Sequence, residues 1–507
     1  MNNIKDFKHF TIPADIDKSI DELKNNNPQK WTDLGKKKAI DLANYTILTT
    51  PAYKKYIEKN GFSETVITAD NFSRLPLIDK NDYLKKHAYK DLFPNGDFSK
   101  VSTISSTSGS TGEPFYFPRG EEQDQQYEYV AEIYMKEQFE IDKKTTLAIN
   151  GFGLGIWIGG IYTYKNINRL AQKGYPIAMA PIGVIKELYL QTIKKQAEYF
   201  DQIILMGYPP FIKDILDEAV EYDIDFNKYN VKIMTATEAF SEIFRDYLIE
   251  KANIKNPLKD IINIYGSVEL GTMSHETALS VLIRRIAVKK PEVYKVIFGD
   301  ASLLPTLVQY HPYIVYFEQL GEEVIATGMG SSIPLVRYKF HDRGGIIYFD
   351  DMVNRLKSVG VDILEEAKDA NIDDTIMKLP FVYVYERTDF VVLVKGANVY
   401  PENIKIGLQQ DSVRELVTGR FTMEKKQDKS FEDYLLVHVE LKKNHSINHK
   451  NQKIIKKAVF EILARDNTEF RYTQEYSKND ILHIQLHKHE DPEYFSRDVI
   501  KHRWVKK

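Results

Sequence analysis

An α/β fold with a second, smaller α+β domain is the fold class that this sequence predicts. Apolar runs of strand length alternate with amphipathic helical segments through the middle of the chain. After Gly321 the pattern changes to short alternating strands separated by Gly-rich turns, and it changes again near Arg387. The 507 residues, 43% of them hydrophobic, are enough for more than one core. We therefore expect a large N-terminal domain of mixed sheets and covering helices over residues 1–385, and a small, mobile C-terminal domain over residues 386–507.

The alternation is clearest from residue 202 to residue 267. The runs QIILMG, VKIMTA and DIINIYGS are strand-like, and the segments between them, PPFIKDILDEAVEY and SEIFRDYLIEKA, are helix-like. This β-α-β-α-β order predicts a largely parallel sheet with ligands at the carboxyl ends of its strands. Upstream, the first hundred residues look mostly helical, with Asp79 as a helix N-cap. Downstream, EEVIATG, PLVRYKF and GIIYF are predicted to be three strands.

Charge and cysteine content limit the class of partner. The 69 basic and 72 acidic residues give a formal net charge of -3, so no global positive field favours a nucleic acid or an anionic membrane. The absence of cysteine excludes disulfides, thiolate zinc sites and a cysteine nucleophile. No stretch approaches the roughly 18 apolar residues of a membrane span, and the first residues lack the apolar core of a signal peptide. We expect a cytoplasmic protein that binds a small molecule.

The segment TSGSTGEP, residues 107–114, follows the strand-like run VSTIS. Its glycines allow backbone N–H groups to turn inward, and its hydroxyls join those of Ser105 and Ser106, so the loop is able to surround phosphate oxygens. It is not the GxxxxGK[ST] P-loop, because no Lys follows the second Gly. From composition alone, a solvated Ser/Gly turn is an equal alternative.

Together with four further segments, this loop resembles the adenylate-forming superfamily of acyl-CoA synthetases, adenylation domains and luciferases, and in particular its phenylacetate–CoA ligase branch. The other segments are LPLIDKNDYLKK at 75–86, NGFGLGIWIGG at 150–160, YGSVE at 265–269, and RYKFHDRGG at 337–345 followed by ERTDFVVLVKGANVYPENI at 386–404. They are similar to the family's helical lead-in, its acyl-site segment, its YGxxE element, and its ribose-binding and hinge elements. The last hundred residues match only weakly.

The resemblance implies activation of a carboxylic acid by Mg-ATP, which requires aligned phosphates and a stabilised pyrophosphate leaving group. It assigns Glu269 to the Mg²⁺, since a hard cation prefers carboxylate oxygen, and it places Tyr265 against the adenine and Asp342 on the ribose hydroxyls. Arg387 would contact the same ribose or the phosphate. Without the motifs, core packing for the tyrosine and surface ion pairs for the charged residues would be the simpler interpretations. The implied nucleotide-binding and cofactor-binding positions are Thr107, Ser108, Gly109, Ser110, Thr111, Gly112, Ala236, Thr237, Glu238, Tyr265, Gly266, Asp342, Arg387 and Gly396.

The acid is expected against Phe152, Gly153 and Trp157, where an apolar wall suits an aryl or bulky apolar carboxylate. A buried core strand would give much the same string. Asp389 falls on the family's hinge position, and Gly396 would border the tunnel for the acceptor thiol. The family's catalytic lysine lies near its C-terminus. Lys501 is the best match, although Ile500 stands where Gly is expected, and the alternatives are Lys488, Lys506 and Lys507.

The resemblance makes coenzyme A the expected acceptor of the acyl group, with an amine or a carrier protein as alternatives, and a homodimer is a family-level expectation. Adenylylation of a hydroxyl, or acyl transfer within a biosynthetic pathway, also stays open. Val268 stands where the family commonly has Ser or Thr, and Glu386 replaces its usual Gly. These departures leave room for a nucleotide-binding relic without turnover. A metal site at His483, His487 and His489, which alternate along one segment, is a weaker hypothesis.

Overall fold

The computed structural model of the chain describes residues 10–106, 115–299, 305–385, 392–395, 397–428, 433–477, 480–496 and 504–505. The helices of these residues are α1 Ile16–Asn25, α2 Gln29–Thr49, α3 Pro51–Lys59, α4 Glu121–Glu137, α5 Ile158–Gln172, α6 Lys186–Gln196, α7 Pro209–Glu218, α8 Glu242–Ala252, α9 Ala278–Lys289, α10 Pro291–Phe298, α11 Phe349–Ser358, α12 Ile363–Asp369, α13 Pro401–Leu408, α14 His449–Asp466 and α15 Thr468–Tyr476. None of the helices in the described ranges is long and apolar enough to cross a bilayer.

The strands are β1 Val101–Ser106, β2 Tyr116–Gly120, β3 Thr146–Asn150, β4 Ile177–Pro181, β5 Gln202–Gly207, β6 Val231–Ala236, β7 Ile261–Ser267, β8 Gly271–His275, β9 Thr306–Tyr310, β10 Val315–Leu320, β11 Glu323–Gly328, β12 Leu335–Ile347, β13 Phe381–Val384, β14 Val392–Val394, β15 Ala397–Val399, β16 Val417–Gln427, β17 Asp433–Leu441 and β18 Leu482–His487. Within the described residues, eleven of them form one sheet in the order β10-β11-β12-β13-β9-β8-β7-β6-β5-β3-β4. Strands β4, β3, β5, β6 and β7 are parallel to one another, as the sequence pattern predicts.

The parallel strands are buried on both faces, which explains their continuous apolar runs. Successive residues of β5 point to opposite sides, so Ile203 and Leu205 join a core with α6, α7 and α8. Ile204 and Met206 join the larger core on the other face, to which α2 and α4 contribute. This two-sided burial holds the carboxyl ends of the parallel strands in fixed positions.

Three smaller sheets complete the described structure, one of which is the antiparallel pair of β14 and β15. The hairpin of β1 and β2 is antiparallel and carries the segment 107–114 between its strands. In the C-terminal part, β16, β17 and β18 form a sheet that packs with α14 around a separate apolar core, which includes Val437, Ile455 and Trp504. The fold is therefore α/β, with a large mixed sheet and a smaller C-terminal sheet, as predicted.

Two local predictions were wrong. PLVRYKF and GIIYF belong to one strand, β12, because a register shift opposite β11 lets the chain continue through residues 341 and 342. The segment after Asp79 forms turns and one short 3-10 helix at Leu84–Lys86 instead of an α-helix. Asp79 does cap this segment, since its Oδ1 accepts from the N–H groups of Asn81 and Asp82, both at 2.7 Å.

Candidate active site

The candidate site lies at the carboxyl ends of four neighbouring parallel strands. Phe152 follows β3, Tyr208 follows β5, Glu238 follows β6 and Glu269 follows β7, and these strands are adjacent in the order β3-β5-β6-β7. Ligands of open α/β sheets bind at this edge, because the loops that leave the strands there converge. Chain order and spatial order thus place the sequence-predicted acid and nucleotide segments side by side.

The loop after β3 is fixed by a buried asparagine. Asn150 accepts the N–H of Phe152 on its Oδ1 at 3.0 Å, and its Nδ2 donates to the carbonyl of Gly160 at 2.9 Å. The N–H of Gly153 donates to the hydroxyl of Tyr208 at 3.2 Å, and the rings of Phe152 and Tyr208 meet edge to face, 5.3 Å apart. The segment is therefore a loop between β3 and α5, and the alternative of a buried core strand is wrong.

The other residues of this segment differ in burial. Phe152 is buried, and Trp157 is half-buried at the N-terminus of α5. Ile156 is 42% exposed, and its carbonyl accepts the N–H of Ser106 at the end of β1. The segment therefore connects an apolar interior at Phe152 with the strand that precedes the Ser/Gly loop.

The segment after β6 is strained. Ala236 is the last residue of β6, and Thr237 has a φ of +77°, which is an outlier for a β-branched residue. The carbonyl of Glu238 accepts from Nδ2 of Asn263 at 3.0 Å, and its carboxylate lies 3.8 Å from Nζ of Lys405 in α13. Burial raises the pKa of the Tyr208 hydroxyl, and the negative charge of Glu238 raises it further.

Tyr265 and Asp342 meet across the sheet. The hydroxyl of Tyr265 donates to Oδ2 of Asp342 at 2.7 Å, and the Tyr265 ring stacks on Phe317 with centroids 6.3 Å apart. Gly266 is required beside them, because a Cβ at this position would lie 2.5 Å from the carbonyl oxygen of Gly271. The YGxxE segment and the predicted ribose-binding carboxylate thus form one contiguous cluster.

Glu269 is half-buried at the end of the loop that follows β7. The hydroxyl of Tyr338 lies 3.5 Å from its Oε1, and Nε2 of Gln123 donates to its carbonyl at 3.4 Å. In the part of the chain that the structure describes, no Lys, Arg or His forms an ion pair with this carboxylate. An uncompensated carboxylate oxygen of this kind fits a Mg²⁺ ion, which takes one or two protein carboxylates and completes its shell with phosphate and water.

Several predicted positions lie outside the described residues. These are Thr107, Ser108, Gly109, Ser110, Thr111 and Gly112 of the loop, together with Arg387, Asp389, Gly396 and Lys501. Val268, one of the two departures from the family pattern, packs against the main core. Glu386, the other departure, lies outside the described residues as well.

The histidines of the C-terminal part form a hydrogen-bonded chain. His438 Nδ1 lies 2.9 Å from His487 Nε2, and His438 Nε2 lies 2.9 Å from Glu424 Oε1. His483 is exposed on the same strand, and His489 lies beyond its end. Across the described ranges no group of three or more His, Asp or Glu side chains is arranged to hold a metal ion.

Three site residues escaped the sequence analysis: Tyr208, Asn263 and Lys405. Tyr208 directly follows a predicted parallel strand, so the rule that ligands bind at carboxyl ends would have found it. Asn263 is buried in the middle of β7. It reaches the site only because the segment after β6 turns the Glu238 carbonyl toward its amide. Lys405 approaches the site from the C-terminal part, and only the tertiary structure brings it to Glu238.

This two-part architecture is the fold of the adenylate-forming superfamily. A 2-hydroxyisobutyryl-CoA ligase in its postadenylation state, in complex with R3-HIB-AMP, superposes with a TM-score of 0.65 at 15% identity over 100% of this chain and 96% of that chain. The same ligase with 2-HIB-AMP gives 0.64 at 14% identity, over 100% of this chain and 94% of that one. Its thioesterification state, with 2-HIB-AMP and CoA, gives 0.54 at 14% identity over the same shares of the two chains.

These comparisons establish the fold. No protein-family model matches the sequence, and no curated protein matches it.

Proposed function

We propose that this protein activates a carboxylic acid with Mg-ATP, forming an acyl-adenylate and pyrophosphate, and then transfers the acyl group to a thiol. The observation that carries the proposal is the convergence of Phe152, Tyr208, Glu238 and Glu269 at four adjacent strand ends, beside the Tyr265–Asp342 pair. The superfamily fold supports the same chemistry. In this proposal the apolar residues hold the acid, Asp342 binds the ribose and Glu269 holds the metal.

In the nucleotide half of the site, Asp342 accepts hydrogen bonds from the ribose hydroxyls. Tyr265 already donates to this carboxylate at 2.7 Å, which fixes the position of its ring beside the adenine. The backbone of residues 236–238 borders the other side of the base. Asn263 holds that segment by its hydrogen bond to the Glu238 carbonyl. This bond helps to stabilise the strained backbone conformation of Thr237.

Glu269 would hold the Mg²⁺. When bound, the metal neutralises charge on the phosphates and on the departing pyrophosphate. Glu269 supplies the carboxylate, and Tyr338 and Gln123 orient this residue from two sides. The hydroxyl-rich loop at residues 107–114 supplies N–H and O–H donors to the phosphates, and this assignment rests on its sequence.

In the acid half of the site, Phe152 and Tyr208 form an aromatic corner, with Trp157 at the start of α5. A buried aromatic corner excludes water and favours an aryl or bulky apolar acid over acetate. Lys501 is assigned by sequence to the carboxylate and α-phosphate oxygens, and Asp389 to the hinge. Coenzyme A is the proposed acceptor, with Gly396 beside its thiol.

Acid-dependent ATP–pyrophosphate exchange tests the proposal. The assay uses Mg²⁺ and a panel of aryl, aliphatic and amino acids, with Glu269→Gln and Lys501→Ala beside the unmodified protein. We expect exchange with an aryl or bulky apolar acid, and a loss of about a hundredfold or more in each variant, as for removal of a transition-state contact. Binding of ATP without exchange for any acid would contradict the proposal and favour a nucleotide-binding protein without turnover.

A further inference from the structure

The base of the β1–β2 hairpin contains a buried arginine that forms no ion pair with the residues that the structure describes. Arg119 is only 1% exposed, and it pairs with Thr103 across the hairpin. Its Nη2 donates to the hydroxyl of Ser105, and its guanidinium lies over the ring of Tyr162, 5.0 Å from the centroid. Its Nε and Nη1 are buried without any hydrogen-bond partner among the described residues.

Asp124, the carboxylate whose negative charge acts on Arg119, is already paired with another cation. Asp124, in the first turn of α4, binds Nζ of Lys165, which also lies 3.4 Å from the hydroxyl of Ser102. The described part of the chain therefore gives Arg119 no ion pair. A buried charge without a partner costs several kcal/mol of folding free energy. Burial accordingly lowers the pKa of the Arg119 guanidinium.

The location of this charge indicates which ligand would balance it. Tyr162, which lies under the guanidinium, donates from its hydroxyl to the carbonyl of Gln123 at 2.7 Å, and Gln123 in turn donates to the carbonyl of Glu269. Arg119 is thus linked by three successive contacts to the backbone of Glu269, the residue proposed to hold the metal. Arg119 also lies in β2, one of the two strands that flank the hydroxyl-rich segment 107–114.

The loop itself brings no positive charge. Residues 105–118, SSTSGSTGEPFYFP, contain one acid, Glu113, and no Lys or Arg. A polyphosphate held only by hydroxyls and backbone N–H groups would keep most of its charge uncompensated, and a cation in a low-dielectric setting acts over a longer distance than one in water. Arg119 is the first basic residue after the loop.

We propose that Arg119 is a positioning residue for the polyphosphate end of the nucleotide: it orients the hydroxyl of Ser105 and supplies the positive field that offsets the β- and γ-phosphates. This inference rests on the proposed function and adds to it the residue that discriminates ATP from AMP. The ligand chemistry is an inorganic polyphosphate, shared by ATP and free pyrophosphate. Burial of the Arg119 charge is unfavourable in the unliganded protein, and in this proposal the negative charge of the bound phosphates offsets that cost.

The test compares Arg119→Met and Arg119→Lys with the unmodified protein, by calorimetric binding of ATP, AMP and inorganic pyrophosphate and by thermal unfolding without ligand. Methionine keeps the length of the side chain and removes its charge. We expect Arg119→Met to weaken ATP and pyrophosphate about tenfold or more and AMP less than about threefold, since charge-assisted interactions are the strong ones. Lysine restores most of the ATP affinity. Without ligand, Arg119→Met keeps or raises the melting temperature.

Arg245 provides the matched contrast for stability. It is equally buried, but Glu242 and Glu276 accept from its guanidinium at 3.0 and 2.6 Å. Arg245→Met therefore lowers the melting temperature, because it removes one of the cations that compensate two buried carboxylates and leaves them mainly to Arg284.

Two results would overturn the inference on Arg119. One is an equal loss of ATP and AMP affinity in Arg119→Met, and the other is a fall in its melting temperature like that of Arg245→Met; both indicate a purely structural role. A protein that binds pyrophosphate in an Arg119-dependent way but shows no acid-dependent exchange would retain this inference and refute the proposed function. A protein that binds neither ATP nor pyrophosphate would refute both.

Discussion

At the scale of single residues, the hydrogen bond between Tyr265 and Asp342 joins two segments that are far apart in sequence. Tyr265→Phe removes only the hydroxyl that donates to Asp342 at 2.7 Å, and it leaves the stacked ring in position. Because a hydrogen bond to a charged group contributes about 1.5–3 kcal/mol, we expect KM for ATP to rise about tenfold with little change in kcat. Steady-state kinetics at saturating acid measures this.

The control for that variant is Tyr199→Phe, whose ring is 69% exposed, and it should leave KM unchanged. An unchanged KM in Tyr265→Phe would remove this pair from the nucleotide site. A fall in kcat alone would place its effect in the chemical step.

A second residue-scale feature is the buried pair of His275 and His311. Their rings stack 5.4 Å apart, nearly parallel, and none of their four ring nitrogens has a hydrogen-bond partner among the described residues. Burial lowers the pKa of His275 from 6.5 to about 3, and burial together with the neighbouring imidazole lowers the pKa of His311 well below its ordinary value. Both are therefore neutral in the folded protein over most of the acid range.

The sign of the resulting pH dependence follows from linkage. Between about pH 6.5 and about pH 3 the unfolded chain binds a proton at His275 and the folded chain does not, so stability is full above that window and falls on acidification, by up to about 1.4 kcal/mol per pH unit. His311 acts in the same direction. Chemical denaturation at a series of pH values should show this slope, and His275→Asn should reduce it. The exposed His449→Gln is the control and should keep the slope of the unmodified protein. A slope unchanged in His275→Asn would show that other groups dominate the acid response.

At the scale of elements, the C-terminal sheet is attached to α7 through a half-buried carboxylate, that of Asp217. Oδ2 of Asp217 lies 2.8 Å from Nζ of Lys213 and 2.9 Å from Nζ of Lys442, at the C-terminal end of β17. Lys213 also donates to the carbonyl of Val417 in β16 at 3.2 Å. Asp217 therefore pairs with two lysines, and Lys213 also binds the backbone of β16 in the C-terminal sheet.

We expect Asp217→Ala to loosen this attachment. It leaves Lys213 buried without its partner, and breaking a buried pair from one side costs about 3–5 kcal/mol. Small-angle scattering should give a larger radius of gyration, and the melting temperature should fall. Lys443→Ala is the matched control, because Lys443 reaches Glu221 in an exposed pair at 2.9 Å, and exposed pairs contribute about 0–1 kcal/mol. Equal behaviour of the two variants would contradict this assignment.

The strands also show which elements could be predicted from the sequence and which could not. Strands β5, β6 and β7 were predictable, because their apolar runs are bounded by helical segments with a different period. Strand β12 was predicted as two strands, because its turn-like residues 341–345 occupy an irregular part of the ladder. Pattern reasoning detects a change of period well, but it does not detect a strand that continues through a bulge.

The same limit applies to the site. Glu269, Asp342 and the 236–238 segment follow predicted strands or motifs, so sequence analysis placed them near one another. The Lys405–Glu238 approach at 3.8 Å and the uncompensated charge of Arg119 depend on which side chains tertiary folding brings together. Burial and pairing are properties of the folded chain, and no local pattern encodes them.

At the scale of the whole molecule, the described residues divide between apolar cores that share few side chains. The large sheet carries the cores on its two faces, and the C-terminal sheet has its own. The contacts between these parts around Asp217 are polar: Asp217 on α7 pairs with Lys442, and Glu221, just after α7, pairs with Lys443. A polar interface of this kind is compatible with relative domain motion, which the proposed two-step reaction requires.

The central claim is that a carboxylate oxygen attacks the α-phosphate of ATP. The most direct measurement uses an acid labelled with ¹⁸O in its carboxylate, full turnover with coenzyme A, and mass spectrometry of the AMP. The labelled oxygen bridges the acyl carbon and the phosphorus in the acyl-adenylate, and it stays with AMP when the thiol attacks the acyl carbon. We predict one ¹⁸O atom in each AMP formed. AMP without label, or label that appears only in phosphate or pyrophosphate, would contradict the account.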